Sequence, residues 1–165
     1  MKHDVLIKLI ESFREHKDLD VGPHREDYFT GGHCAEFAIA LSTVLWSFEI
    51  DSEVEVIIRK ELDDDTNEEF CRTISHVVVV VDGKRYDIAG NESAEQWEES
   101  FEVYTDEGLL NEWESVKIPS TGIVTTRDAL LEIIDGYGCK TDLIDTVFFY
   151  SLLIKIISEQ MSGKL

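Results

Sequence analysis

The chain has 165 residues, 43% hydrophobic and 10% aromatic, which suits one domain with a real core and excludes a disordered composition. Its 35 acidic residues outnumber 15 basic ones, for a formal charge of −20. Such a surface repels nucleic-acid phosphates and anionic lipid, so no nucleic-acid and no membrane partner is expected, whereas a basic protein partner, or imitation of nucleic acid, fits the charge.

Three cysteines stand far apart at positions 34, 71 and 139 and form no CxxC pair. Neither a disulfide framework nor a zinc ribbon is expected. Met1-Lys2-His3-Asp4 leads into an amphipathic stretch rather than a signal peptide, and the apolar run Val147 to Ile157 is too short to span a bilayer. The expected compartment is soluble, reducing and cytoplasmic.

Residues 3–17 place Val5, Leu6, Leu9, Ile10 and Phe13 at helical spacing and predict an amphipathic helix. Residues 18–33 are polar and rich in glycine, and read as a loop. From Cys34 to Phe48 the sequence is apolar nearly all round, which predicts a buried central helix. Glu53 to Glu61 alternates and is rich in Val and Ile, a strand pattern. The acidic stretch 62–70 reads as a surface loop. Five valines from Val77 to Val81, followed by Asp82-Gly83, predict a β-hairpin. Residues 92–115 read as irregular helices, with Pro119 to Gly122 as a break. Thr126 predicts the cap of a helix over 127–135 ended by Gly136 to Gly138, and 141–161 predicts a last, mostly buried helix. The order indicates an α+β domain with a small antiparallel sheet.

Cys34 follows Gly31-Gly32-His33 and opens the buried helix. A helix N-terminus favours the thiolate, and its unpaired N–H groups can hold a developing oxyanion. Glycines before it let a substrate approach the backbone. The alternative is a small apolar residue at the start of a core helix. His76 opens a strand that otherwise reads as valine, where an imidazole is costly unless satisfied. With Asp82-Gly83 as a two-residue turn, Val81 pairs with Lys84 and Val78 lies opposite Asp87. His76 and Val78 share a face, so His76 and Asp87 become diagonal neighbours with Cβ atoms ~7–8 Å apart or less. A nucleophile's base needs this: one ring nitrogen toward the thiol and the other held by a carboxylate.

GGHCAEFAIAL followed by HVVVVVDGKRYDIAG resembles the papain-like cysteine peptidase superfamily, in its NlpC/P60-type, CHAP-type and transglutaminase-like branches. The resemblance covers about residues 24–90. It implies a papain-like core, with Cys on a buried helix packed on an antiparallel sheet. The helices expected over about 119–165 lie outside the resemblance, as an extension of one domain, 1–165. The resemblance implies Cys34 as nucleophile, His76 as base and Asp87 as the residue that orients the base, with no metal or cofactor. A partner for the oxyanion hole usually stands upstream of the Cys. Tyr28 is the first candidate, His24 and His33 weaker ones, and Gly32 a candidate substrate contact. Asn91 is the alternative to Asp87.

Other features have plainer readings. His33, Cys34, Cys71 and His76 match no zinc-finger spacing. Asp63 to Asp65 with Glu68 and Glu69 lack the central glycine of a calcium loop. Glu36, in the first turn after Cys34, is expected to face away from the sulfur. Trp97, Phe101 and Trp113 are core or groove residues. The expected function is a thiol-dependent hydrolase or acyltransferase (protease, amidase or deamidase) acting on a protein or peptide. The alternative is a catalytically inactive binding protein of the same fold whose acidic surface docks a basic partner.

Overall fold

The computed structural model describes residues 3–19, 33–62, 65–66, 68–90, 110–137, 143 and 145–163. Four helices and four strands occur among these residues: α1 (His3–Arg14), α2 (Cys34–Ser47), β1 (Glu53–Leu62), β2 (Glu69–Val81), β3 (Lys84–Tyr86), β4 (Leu110–Pro119), α3 (Ile123–Gly136) and α4 (Thr146–Met161). The fold class is α+β, as the sequence indicates.

α1 buries Leu6, Leu9, Ile10 and Phe13 on one face and leaves Val5 half exposed. That is the stripe its periodicity predicts. α2 is apolar on every side because it is covered on every side. It packs on β2 and β1 and on α4, and each residue from Ala35 to Leu45 is buried. Ser42 and Thr43 are tolerated there because their hydroxyls donate to the Ile39 carbonyl, at 3.0 and 2.7 Å. Phe13, on α1, meets Phe37 of α2 and stands edge-on to Phe149 of α4, with ring centroids 5.1 and 5.7 Å apart. One apolar cluster links residues of all four helices and all four strands.

The sheet is antiparallel in the order β3-β2-β1-β4. Val81 pairs with Lys84 and Val79 with Tyr86, the register the Asp-Gly turn requires. Asp82 (φ 50°) and Gly83 (φ 76°) are both left-handed, as a two-residue turn matching strand twist demands. Val77, Val79 and Val81 join the main core, whereas Val78 and Val80 bury on the other face with Ile57. Glu55 is buried as well. It is held by Arg85, which donates from Nε and an Nη at 2.7 and 3.0 Å. Burial works against its charge, but hydrogen bonds from Arg85 and Ser115 win and lower its pKa.

Three expectations are corrected. Residues 110–115 belong to strand β4, not to irregular helices, because all ten residues of β4 pair with β1. α3 starts at Ile123 rather than 127; Gly122 stands at its N-cap with φ 110°. Thr126 lies inside it, and its hydroxyl accepts the Thr121 N–H at 3.2 Å. α4 starts at Thr146 rather than 141. Residues 20–32, with His24, Tyr28 and Gly32, and residues 91–109, with Asn91, Trp97 and Phe101, lie outside the described residues, as does Cys139. No helix among the described residues is long and apolar enough to cross a membrane.

Candidate active site

Cys34 is the first residue of α2 and is half-buried, so its sulfur stands at the edge of the core rather than within it. His76 lies on β2 next to a bulge: Ile57 pairs with His76 and Ile58 with Ile74, leaving Ser75 as the extra residue. Bulges bend a strand and re-aim its side chains, and they recur beside active sites. His76 is buried, at 4% exposure. His76 Nε2 lies 3.1 Å from Asp87 Oδ2. Cys34 lies near enough to the same ring to raise its pKa. With Nε2 committed to Asp87, Nδ1 is the ring nitrogen that can serve the sulfur.

Asp87 is fixed from both ends of its residue. It is buried, and its Oδ1 accepts the Ala89 N–H at 2.9 Å. Its carbonyl accepts the Gly90 N–H at 3.0 Å, closing a tight turn directly after β3. Gly90 has φ +94°, and a Cβ there would stand 3.2 Å from Ile7 Cδ1. Gly90→Ala is therefore expected to lower stability by about 1–2 kcal/mol in urea unfolding, and to loosen the turn that holds Asp87.

Electrostatics follow from this packing. Burial of the ring opposes its positive charge, but the hydrogen bond to Asp87 and the nearby Cys34 outweigh it and raise His76 to about 9. An imidazolium is thus retained well above neutral pH. A positive ring against a sulfur stabilises the anionic form of that sulfur, which is the nucleophilic form.

No protein-family model, curated protein or solved structure matches this chain.

The structure brings together Cys34, His76 and Asp87, the three residues singled out from the sequence. His33 lies just before α2, and its Nδ1 is 3.3 Å from Glu36 Oε2. Glu36 is buried beside it rather than solvated, a placement that its position in a first helical turn does not reveal. His33, Glu36 and Asp145 have ligand atoms within 4.8 Å of one another, a donor set of one imidazole and two carboxylates of the kind that suits a divalent cation. Cys34 and His76 are not members of that group, and the side chain of Cys71 lies outside the described residues. Asp145 and the buried Glu36 were missed as neighbours because they approach from different helices, and no local spacing carries that signal.

Proposed function

We propose that this chain is a thiol-dependent amide hydrolase or acyltransferase with a papain-like arrangement, acting on a protein or peptide. The observation that carries the reading is the buried His76 ring, bonded to Asp87 at 3.1 Å and near enough to Cys34 for that residue to raise its pKa. Its roles follow from position. Cys34 Sγ attacks the amide carbonyl, and the carbonyl π electrons move to oxygen. First-turn N–H groups of α2 face that oxyanion. As the tetrahedral adduct collapses, the C–N bond breaks and the His76 imidazolium gives its proton to the leaving amine. Neutral His76 then takes a proton from water, or from an acceptor amine, which attacks the thioester and returns the thiol. Asp87 holds the ring in one orientation throughout and supports its charged state.

A mixture of peptides digested from a whole proteome tests this. Wild-type protein is expected to generate new termini, or the mass gain of glutamine deamidation, or amide cross-links, and Cys34→Ser is expected to generate none. Identical peptide maps for the two proteins would overturn the reading. The second reading, a binding protein that keeps the fold without the chemistry, draws on the excess of 35 acidic over 15 basic residues.

A further inference from the structure

The opposite end of α2 carries a different feature. Helix rise places Ser47 about 20 Å from Cys34. There, an open groove of about 860 Å³ is walled by Trp46, Glu49, Asp51, Ser52, Glu53 and Asp82, between the α2–β1 connection and the hairpin turn. Trp46 is 51% exposed, and the neighbouring Phe48 is exposed too. Large aromatics at a surface offer flat faces to a partner, and Trp is the strongest cation–π surface among them.

The charge at this groove is one-sided. Among the described residues, no basic side chain pairs with Glu49, Asp51 or Asp82; Glu53 alone meets a cation, Lys117 Nζ at 3.6 Å. Lys84, just past the turn, is not among the lining residues. The groove also lies at the C-terminal end of α2, the negative end of its dipole, and the last turn holds no basic residue to offset it. Helices commonly place Lys or Arg there; this one places an exposed Trp and carboxylates. Ser52 Oγ, in the groove wall, is buried and finds no hydrogen-bond partner among the described residues.

We propose that this groove binds a Lys- or Arg-bearing extended segment of a protein partner, with cationic side chains against Trp46 and the carboxylates of Glu49, Asp51 and Asp82. The surface attracts cations over its whole area. This groove adds an aromatic face and a concave shape to that field, which selects a segment rather than any cation. The distance from Cys34 makes it a docking site separate from the thiol, and it stands whether or not Cys34 is reactive.

The test is fluorescence anisotropy with a labelled peptide of alternating Lys, Arg and Gly, titrated with the full chain at low and at 0.3 M salt. Wild type and Cys34→Ala are expected to bind alike. Trp46→Ala and the double reversal Glu49→Lys/Asp51→Lys are each expected to weaken binding about tenfold or more. The control reversal Asp65→Lys/Glu68→Lys, on the loop between β1 and β2, is expected to change it less than about threefold. Circular dichroism melts check that each variant is folded. No binding by wild type, equal losses for groove and control reversals, or unchanged binding by folded Trp46→Ala would each overturn the proposal. So would binding of spermine in place of the peptide. None of these outcomes touches the thiol reading, which the peptide maps of wild type and Cys34→Ser test separately.

Discussion

Replacing His76 with alanine is expected to slow alkylation of Cys34 by iodoacetamide about tenfold at pH 6.5. An ordinary thiol with a pKa near ~8.5 is only about 1% thiolate at that pH, and the thiolate is the form that is alkylated. An imidazolium beside a sulfur favours that form, while a more stable thiolate is a weaker nucleophile, with a Brønsted slope of about 0.4–0.5, so a change of about tenfold is the expected scale. The alanine variant also removes the imidazole from Oδ2 of the buried Asp87, so His76→Gln serves as a second variant that keeps a donor for Asp87 without a charge. Both variants are expected to slow labelling, and Cys71 and Cys139 in the same molecules give the internal reference. Retained fast labelling of Cys34 in folded His76→Gln would show that the ring does not activate the sulfur.

The second large effect is on stability against pH. His76 titrates near 6.5 when unfolded and at about 9 when folded. A raised folded pKa means that the native state binds the proton more tightly. The resulting stability is fully present below pH 6.5 and is lost as pH rises through about 9. A thiolate at Cys34 in the folded state offsets this loss until the unfolded thiol titrates near ~8.5, because the pair then holds one proton in both states. Urea unfolding of the wild type is expected to be nearly flat from pH 6.5 to about 8.5 and to fall above it, and His76→Gln to lack that fall. Asp87→Asn is expected to flatten the curve in part, since the Cys34 interaction remains. A wild-type curve no steeper than that of His76→Gln would contradict the ion pair.

The site was legible in the sequence to an unusual degree because its geometry is local. An Asp-Gly pair fixes a two-residue turn, the turn fixes register, and register brings position 76 to the neighbourhood of position 87. His76 Nε2 and Asp87 Oδ2 then meet at 3.1 Å. The α2 helix was legible because a segment apolar on all sides must be buried on all sides. Cys34 reaches His76 through tertiary packing, so no spacing rule fixes that contact. The sequence supplied only the helix start that makes Cys34 suitable.

What was not legible is non-local or breaks a periodic rule. β4 returns to pair with β1 across a long stretch of chain, and its Glu112, Glu114 and Lys117 give it the polar character of an edge strand. That composition hid the alternation of Val116 and Ile118, of which Ile118 reaches the core. α3 begins at Ile123 behind an N-cap glycine, Gly122, with no side-chain cap, so the cap signature at Thr126 pointed one turn too late. The bulge at Ser75 has no marker such as glycine, and alternation alone does not show it. The acidic groove around Trp46 is assembled from the end of α2, the start of β1 and the hairpin turn, and becomes visible only once the sheet is formed.

The charge of the His76 ring is the most direct measure of the central claim. Nitrogen-15 chemical shifts of the ring, followed by NMR from pH 5 to 10, report both nitrogens separately. An imidazolium protonated on Nδ1 and Nε2 through pH 8, titrating near about 9 and dropping toward 6.5 in Cys34→Ser with Asp87→Asn, is the predicted result. A neutral ring already present at pH 7 in the wild-type protein would contradict it.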